Sequence, residues 1–351
     1  MRVVVVGATG NAGTSVLRAL KADPGVGAVV GVARRLPVGH AGDGVEWRSA
    51  DVRASELVPL FRGADAVVHL AWLIQPSRDL DELRSVNVDG SARVFEAVTA
   101  ADVPALVYAS SVGAYSEGPK DRLVDESWPT DGVPTSFYAR HKAEVERLLD
   151  EFERKHPDTR VVRLRPGLIF KRGASSEIRR YFAGPFLPSP LLRPELIPLV
   201  PDLPRLRFQA VHSLDVGEAY RLAAVGDARG AFNIAADPVL DSRELGRLLD
   251  ARPVRLPVSV LRAAADLTWR LRLQPTPPGW LDMALAVPLM DTARARSELG
   301  WSPRHSAGDA LLELLAGMRE SAGEDTPPLE PSAGGPARLR ELFTGVGGRN
   351  P

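Results

Sequence analysis

The sequence predicts an α/β fold built on a doubly wound parallel sheet. Three observations carry that prediction: short β-branched runs through the first half of the chain, amphipathic stretches between them, and a glycine-rich turn directly after the first run. The runs are "RVVVVG" (2–7), "AVVGVA" (28–33), "VEWRSA" (45–50), "AVVHLAW" (66–72), "ALVYASS" (105–111) and "RVVRLRP" (160–166). They read as strands apolar on both faces, as a sheet covered by helices on each side requires. Strand and helix in alternation mean βαβ units, and their crossovers wind into a parallel sheet.

The first run leads into "VVVVGATGNAGTSVLRAL", where Gly7, Gly10 and Gly13 fall three apart. Glycine permits positive φ and close backbone approach. A helix starting near Asn11 then aims its first N–H groups and positive dipole end at whatever sits over Thr9, Asn11 and Ala12, and a phosphate suits that place. A tight βα connection without a ligand needs some of the same residues. The position at the first βα turn of an alternating chain favours a Rossmann-type dinucleotide site.

The second strand ends in "GVARR". A carboxylate here would grip the two free ribose hydroxyls of NAD. Ala33, Arg34 and Arg35 stand there instead, and guanidinium forks onto phosphate. NADP is therefore expected over NAD, although two solvated arginines at a strand end give the same pattern. Asp51 and Val52, after the third strand, either cover the adenine edge or cap the next turn.

Past the fourth strand, "DLDELRSVNVDGSARVFEAVTAAD" (79–102) has a helical pattern. So does the stretch beginning "SFYARHK" (136–142), whose later residues Val145, Leu148, Leu149 and Phe152 mark a core face. Stepping back by three and four from Val145 reaches Lys142 and Tyr138, on that same face. An inward ammonium needs partners, and the ribose hydroxyls of a dinucleotide would serve; a lysine snorkelling at the stripe edge is the plain alternative. Arg140 should face solvent, and His141 should pack beside the core. Of Ser110 and Ser111, neighbours at a strand end, only one can point to the site.

Free tyrosine titrates at about 10, too high for a ready base near neutrality. A nearby ammonium and the positive nicotinamide are both expected to lower it, and a serine hydroxyl can hold a substrate oxygen in line.

After about residue 170 the alternation weakens. Residues 184–208 carry seven prolines among leucines and read as an irregular apolar cover. An apolar helix follows near 257–273. The expected division is a dinucleotide-binding domain over 1–170 with returning segments near 208–236, a small substrate lobe over 171–320, and a flexible Pro/Gly-rich tail over 321–351 with one short helix at 337–343.

Bulk composition narrows the function. Of 351 residues, 44% are apolar and 25% charged, enough for a sizeable core. Basic and acidic residues balance at 44 each, which gives no electrostatic case for nucleic acid or an anionic membrane. The absence of cysteine excludes thiolate catalysis and Cys-ligated zinc, and the six histidines are scattered without ligand spacing. Four consecutive valines after Arg2 are too few for a signal-peptide core, and no run reaches membrane-spanning length. A cytoplasmic protein without a metal is expected.

Taken together, the GxxGxxG glycines, "HLAW" (69–72), "VNVDGSARVFEAV" (86–98), "VYASSVGAYS" (107–116) and "YARHK" (138–142) resemble the extended short-chain dehydrogenase/reductase family, nearest to its epimerase/dehydratase branch. "VVRLRPGLIF", "FQAVHSLDVGEAY", "FNIAAD" and "ELGWSP" continue the resemblance to about residue 320. It implies Tyr138 as catalytic acid/base, Lys142 as its partner and Ser111 as the catalytic serine. It implies that Leu70, Ala71 and Trp72 line the cofactor, with Asn87 on the helix behind the sheet. Pro166 begins the segment that closes over the nicotinamide, and Asp215 orders the loop under the lobe.

Two residues depart from the pattern. Trp72 stands where a small residue is usual. Arg165 is followed by Pro166, Gly167 and Leu168 where sugar-nucleotide epimerases often have Tyr-Phe-Asn. The implied function is NAD(P)-dependent hydride transfer at a secondary alcohol or ketone, in a subunit that can pair as a homodimer. A sugar-nucleotide epimerase or dehydratase with tightly bound cofactor, and a non-catalytic dinucleotide sensor, are the alternatives. The small-molecule substrate stays open: the leucines of 184–208 suit an apolar ketone, and Arg193, Arg205 and Arg207 suit a nucleotide diphosphate.

Overall fold

Seven parallel strands form the central sheet in a computed structural model that describes residues 1–37, 39, 43–74, 78–182 and 198–331. The first half runs β1 (Arg2–Val6), α1 (Asn11–Lys21), β2 (Ala28–Ala33), β3 (Glu46–Ser49), α2 (Val58–Phe61), β4 (Ala66–His69), α3 (Leu80–Arg84), α4 (Gly90–Ala100), β5 (Ala105–Ala109), β6 (Leu123–Val124), α5 (Phe137–Lys155) and β7 (Arg160–Pro166). There follow β8 (Leu168–Phe170), α6 (Ser175–Phe182), β9 (Leu199–Asp202), β10 (Phe208–His212), α7 (Ser213–Val225), β11 (Gly230–Ile234), β12 (Ala236–Leu240) and α8 (Ser242–Leu249). The last described elements are β13 (Arg252–Arg255), α9 (Val258–Arg270), α10 (Gly279–Ala286), β14 (Leu289–Met290), α11 (Ala293–Ser297) and α12 (Ala307–Glu320).

The sheet order is β3-β2-β1-β4-β5-β7-β11, parallel throughout. The chain winds outward from β1 to β3, then crosses to β4 on the other flank. That reversal opens a crevice at the carboxyl ends of β1 and β4, the place where open α/β sheets bind ligands. Val4, Val6, Val67 and Leu106 face one core layer; Val3, Val5, Val68 and Leu164 face the other. On the second side α1 and α7 pack closely enough that a Cβ on Gly217 would lie 2.5 Å from the Ser15 carbonyl, and the Ser15 and Ser213 hydroxyls share a 2.8 Å bond.

The run at 45–50 is not a two-faced apolar strand. β3 is the sheet edge, paired only to β2, with Glu46, Arg48 and Ser49 exposed and Trp47 packed against Gly31. Residues 80–100 form one continuous helical run, with a π turn over Ser85–Asp89 between α3 and α4. Gly90 lets this run approach the loop after β3, since a Cβ there would meet Val52 at 2.6 Å.

Around the sheet, β12, β10 and β8 make a small sheet, β13 pairs with β9, and β14 pairs with β6. α7 and β11 return to the main sheet from within this region. Of the proline-rich stretch, residues 184–197 lie outside the described residues. Leu199–Asp202 form a regular strand rather than irregular cover, because β13 supplies a pairing partner. α9 has no buried residue. Residues 321–331 are packed, not a free tail: Leu329 is fully buried and Thr326 nearly so. The helix expected at 337–343 lies outside the described residues.

α5 begins at Ser136, whose hydroxyl accepts from the Ala139 N–H at 3.3 Å. Its inward face carries Lys142, Val145, Glu146 and Leu149, all buried. Glu146 accepts four donors: Arg165 Nε at 2.9 Å and Nη2 at 3.0 Å, Arg163 Nη1 at 2.9 Å and Ser110 Oγ at 2.5 Å. Burial alone would raise its carboxyl; Arg165, Arg163 and Ser110 more than offset this and hold it at about 2.

Glu146→Gln leaves Arg165 buried without its counter-charge, and about 3 kcal/mol or more of unfolding free energy should be lost in denaturant titration. Because the folded carboxyl is depressed to about 2 from an ordinary 4.5, its contribution is complete above pH 4.5 and falls away as pH drops toward 2. The variant should show a flatter acid limb than the parent.

Candidate active site

The turn after β1 is shaped by its glycines. Gly7 has φ +89°, and a Cβ on it would lie 2.6 Å from the Ala71 nitrogen. A Cβ on Gly13 would meet the Gly7 carbonyl at 2.4 Å, so α1 can sit this close to the turn only with glycine there. Gly10 differs: its Cβ would meet nothing nearer than 3.7 Å, so this side opens outward. No side chain caps α1, which leaves its amino end available to a ligand. Asn11 donates to the Ile169 carbonyl at 3.1 Å while its buried Oδ1 has no partner. Ala12 packs with the α1 core layer.

A cleft opens at this turn, with Gly7, Gly10, Arg34, Asp51, Ala71 and Trp72 among its walls. Thr9, Arg35, Val52 and Leu70 border it as well. The open face at Gly10, the uncapped helix and the two arginines at the far end fit a dinucleotide. Asp51 both borders the cleft and caps the turn, accepting from the Arg53 backbone N–H at 2.9 Å and from its guanidinium at 2.8 Å. Burial opposes its charge, yet the Arg53 bonds keep the carboxyl below its ordinary value. Asn87 does not reach the cleft with a free amide: Oδ1 accepts from Leu73 N–H at 2.7 Å and Nδ2 donates to the Leu73 carbonyl at 3.0 Å. It fixes the wall after β4. Pro166 ends β7 beside Ile234, buried.

Ser111, Tyr138 and Lys142 gather near the end of β5. Ser110 turns inward to Glu146; Ser111 turns the other way, caps the Gly113 N–H at 3.0 Å and lies near enough to the Tyr138 phenol to favour its ionised form. Lys142 donates to the Ala109 carbonyl at 2.6 Å, and its Nζ stands 3.4 Å from the Trp72 ring centroid. Arg140 is exposed and donates to the Pro134 carbonyl, while buried His141 packs on Phe137. The Tyr138 ring lies 5.0 Å from Trp280 and 5.9 Å from Trp72, and Phe182 covers Trp280 at 5.1 Å. Both indole N–H groups are buried without partners.

Burial sets the titration of this pair. Burial pushes the Tyr138 phenol up to about 12, with only the Ser111 bond drawing it down. Burial likewise drives the Lys142 ammonium well below its ordinary value, with Glu146 drawing it part of the way back.

On the lobe side, Arg205 donates to the Leu285 and Gly118 carbonyls, Arg207 to the Lys120 carbonyl, and Lys120 to the Arg207 and Ala284 carbonyls. These cations hold the lobe to the 118–120 loop. Arg193 lies outside the described residues. Asp215 accepts from the His305 N–H and from its Nδ1, each at 3.0 Å, and so orders the loop before α12. Among the described residues no group of three or more His, Asp or Glu side chains is placed to hold a metal, and no helix is long and apolar enough to cross a membrane.

The profile of the NAD dependent epimerase/dehydratase family matches residues 3–235. The chain belongs to this family. An uncharacterized protein of Mycobacterium bovis is 27% identical over 284 residues, covering 78% of this chain and 71% of its own. The L-arabinose 1-dehydrogenase (NAD(P)(+)) of Haloferax volcanii is 37% identical over 112 residues, 31% of this chain and 41% of its own. The UDP-glucose 4-epimerase of Thermus thermophilus, solved in complex with NAD, shares the fold with a TM-score of 0.66 at 21% identity, over 91% of this chain and 99% of its own. As a member of the epimerase/dehydratase family, the protein is an enzyme of the short-chain dehydrogenase/reductase type.

Several residues around this family site gave no motif. Glu146 had a signal, four places after Lys142 on the same helix face. Trp280 and Glu177 had none. Glu177 borders the cleft beside Tyr181, whose hydroxyl donates to it at 3.1 Å, and burial lifts its carboxyl to about 7. It is neutral below that pH and anionic above, and an anion here repels a bound diphosphate. The dissociation constant for NADH, titrated by fluorescence, should therefore rise between pH 6 and pH 8, around the Glu177 value of about 7. Glu177→Gln should flatten the dependence; a pH-independent constant in the parent protein would contradict this role.

Proposed function

We propose that the enzyme is an NAD(P)-dependent oxidoreductase acting at a secondary alcohol or ketone, with Tyr138 as acid/base. The observation that supports it most is the convergence of Ser111, Tyr138 and Lys142 beside the dinucleotide cleft: a serine whose hydroxyl favours the ionised phenol, and a lysine one helical turn along on the same inward face. Each of the three is ordinary alone. Their joint placement matches the needs of hydride transfer, since a carbonyl oxygen must be held and protonated at once.

The bound cofactor would supply or accept the hydride. The glycine turn would take its diphosphate, and Arg34 and Arg35 a 2′-phosphate, which favours NADP over NAD. Ser111 Oγ holds the substrate oxygen. Tyr138 Oη passes its proton to that oxygen in reduction and takes it back in oxidation. Lys142, with one of its donors on the Ala109 carbonyl, has others to offer ribose hydroxyls once the Trp72 ring yields its place. With the phenol at about 12, Tyr138 is protonated near neutrality and ready as an acid, so the site as it stands suits reduction.

A sugar-nucleotide epimerase or dehydratase is the second reading, favoured by the shared fold with the Thermus enzyme. Against it, Arg205 and Arg207 are engaged with main-chain carbonyls, and the walls around Tyr138 are indole and phenyl rings. Those surfaces favour a substrate with an uncharged apolar body.

Tyr138→Phe should lower turnover by roughly a hundredfold or more while leaving the cofactor dissociation constant unchanged; surviving turnover would remove Tyr138 from the mechanism. Carbonyl reduction should be flat with pH up to about 9, while alcohol oxidation climbs steadily as the phenol begins to ionise. NADP should bind more tightly than NAD, and Arg34→Ala with Arg35→Ala should erase the difference. Isomerisation of a sugar nucleotide without net NADPH oxidation would instead establish the second reading.

A further inference from the structure

Residues 321–331 lie beyond the stretch matched by the family profile, and they are docked on the phosphate-binding turn. Buried Thr326 donates from Oγ1 to the Thr9 carbonyl at 2.8 Å. Glu324 accepts from Thr14 Oγ1 at 2.8 Å and pairs with Lys171 Nζ at 2.8 Å, while Lys171 donates to Thr14 Oγ1 at 2.6 Å.

The segment is pinned at both ends. The Ala322 carbonyl accepts from Ser175 at 3.0 Å and Ser176 at 2.8 Å, and the Ala322 N–H donates to the Gly317 carbonyl at 2.8 Å. Further on, Glu324 N–H donates to the Leu329 carbonyl at 3.1 Å, and Leu329 N–H to the Thr326 carbonyl at 2.9 Å, closing a small loop over the fully buried Leu329 side chain. Gly323 must be small, because a Cβ there would lie 2.2 Å from the Leu329 carbonyl. The loop then presents Pro328 to the same cleft that Gly10 and Arg34 line.

We propose that this segment is a clasp on the cofactor site. Thr326 holds the Thr9 peptide, and with it the turn that would face the diphosphate, in one orientation. Lys171 pairs with Glu324, the carboxylate of the clasp that touches Thr14 beside the turn. Pro328 forms part of the wall over the dinucleotide, and the cofactor leaves only when the clasp lifts. The clasp therefore acts on release more than on capture. The inference rests on the dinucleotide reading of the cleft.

Stopped-flow fluorescence of NADPH and NADH with the full chain tests it. Thr326→Val removes one hydroxyl at nearly constant shape, and Pro328→Gly removes one wall. Thr326→Val should speed cofactor release by roughly tenfold, the worth of about one hydrogen bond, and Pro328→Gly should speed it as well, with the association rate changed far less in both. A purely structural role would lower the melting temperature and leave that split unmoved. Hydrogen exchange on the parent protein gives a readout that needs no variant: the Glu324 and Leu329 amides should exchange more slowly with NADPH bound. Unchanged release rates in both variants, or exchange at 324 and 329 indifferent to NADPH, would overturn the clasp while leaving the cofactor site intact. Failure of the parent protein to bind either nucleotide would instead overturn the cofactor reading itself.

Discussion

Glu146 is a carboxylate with no exposed surface, and the placement of the reactive side chains depends on how its charge is balanced. A bare carboxylate in this position would cost several kcal/mol. Two guanidiniums and a hydroxyl offset that cost, and each fixes an element. Arg163 and Arg165, two apart on β7, tie the strand to α5. Ser110 ties the end of β5 to the same point. Neighbouring residues of an extended chain face opposite ways, so an inward Ser110 dictates an outward Ser111. Arg165 continues to the Tyr115 hydroxyl at 3.0 Å and the Glu126 carbonyl at 2.9 Å, and Tyr115 donates to Asn233 at 2.7 Å. One buried charge thus orders β5, β7, β11 and α5 together.

The polarity of the pocket follows from what surrounds that clamp. Tyr138 and Lys142 project from the same helix into rings rather than into water. An ammonium over an indole face is attracted to it, which replaces part of the hydration that Lys142 has lost. The phenol gains no such compensation for its ionised form. Aromatic enclosure therefore separates the two groups electrically: it makes the charged lysine costly and the neutral tyrosine comfortable. The phenol therefore stays protonated near neutrality, as the proposed acid role requires.

Much of this was legible in the sequence because burial selects for it. β1, β2, β4, β5 and β7 are largely apolar runs since both faces are covered, and the glycines at 7 and 13 reflect backbone contacts that leave no room for a Cβ, while Gly10 faces the open side. The register of α5 was legible from its apolar stripe. β3 was misread because Trp47, packed on Gly31, lent an apolar look to an edge strand. The raised Tyr138 value was not legible because it comes from burial, which spacing does not report. Arg205 and Arg207 looked like anion ligands because sequence does not reveal which carbonyls a guanidinium will meet. The clasp was hidden by its composition: proline and glycine suggest a loose tail, while a few long-range bonds from Thr326, Glu324 and Ala322 hold it.

The return of α7 and β11 to the main sheet means that order along the chain and order in space disagree. The helix that covers α1, and the strand that completes the sheet beyond β7, are both made after β8 and β10 have been laid into the smaller sheet. A chain stopped after β7 would leave Val16, Leu17 and Leu20 facing water and β7 as an open strand edge, the combination that leads to aggregation. No single cut separates the two parts. Exchanging one lobe for another, in the laboratory or in evolution, requires matched junctions on both sides of the Ser213–Ile234 stretch, so the lobe diversifies as an insertion and not as an appendage.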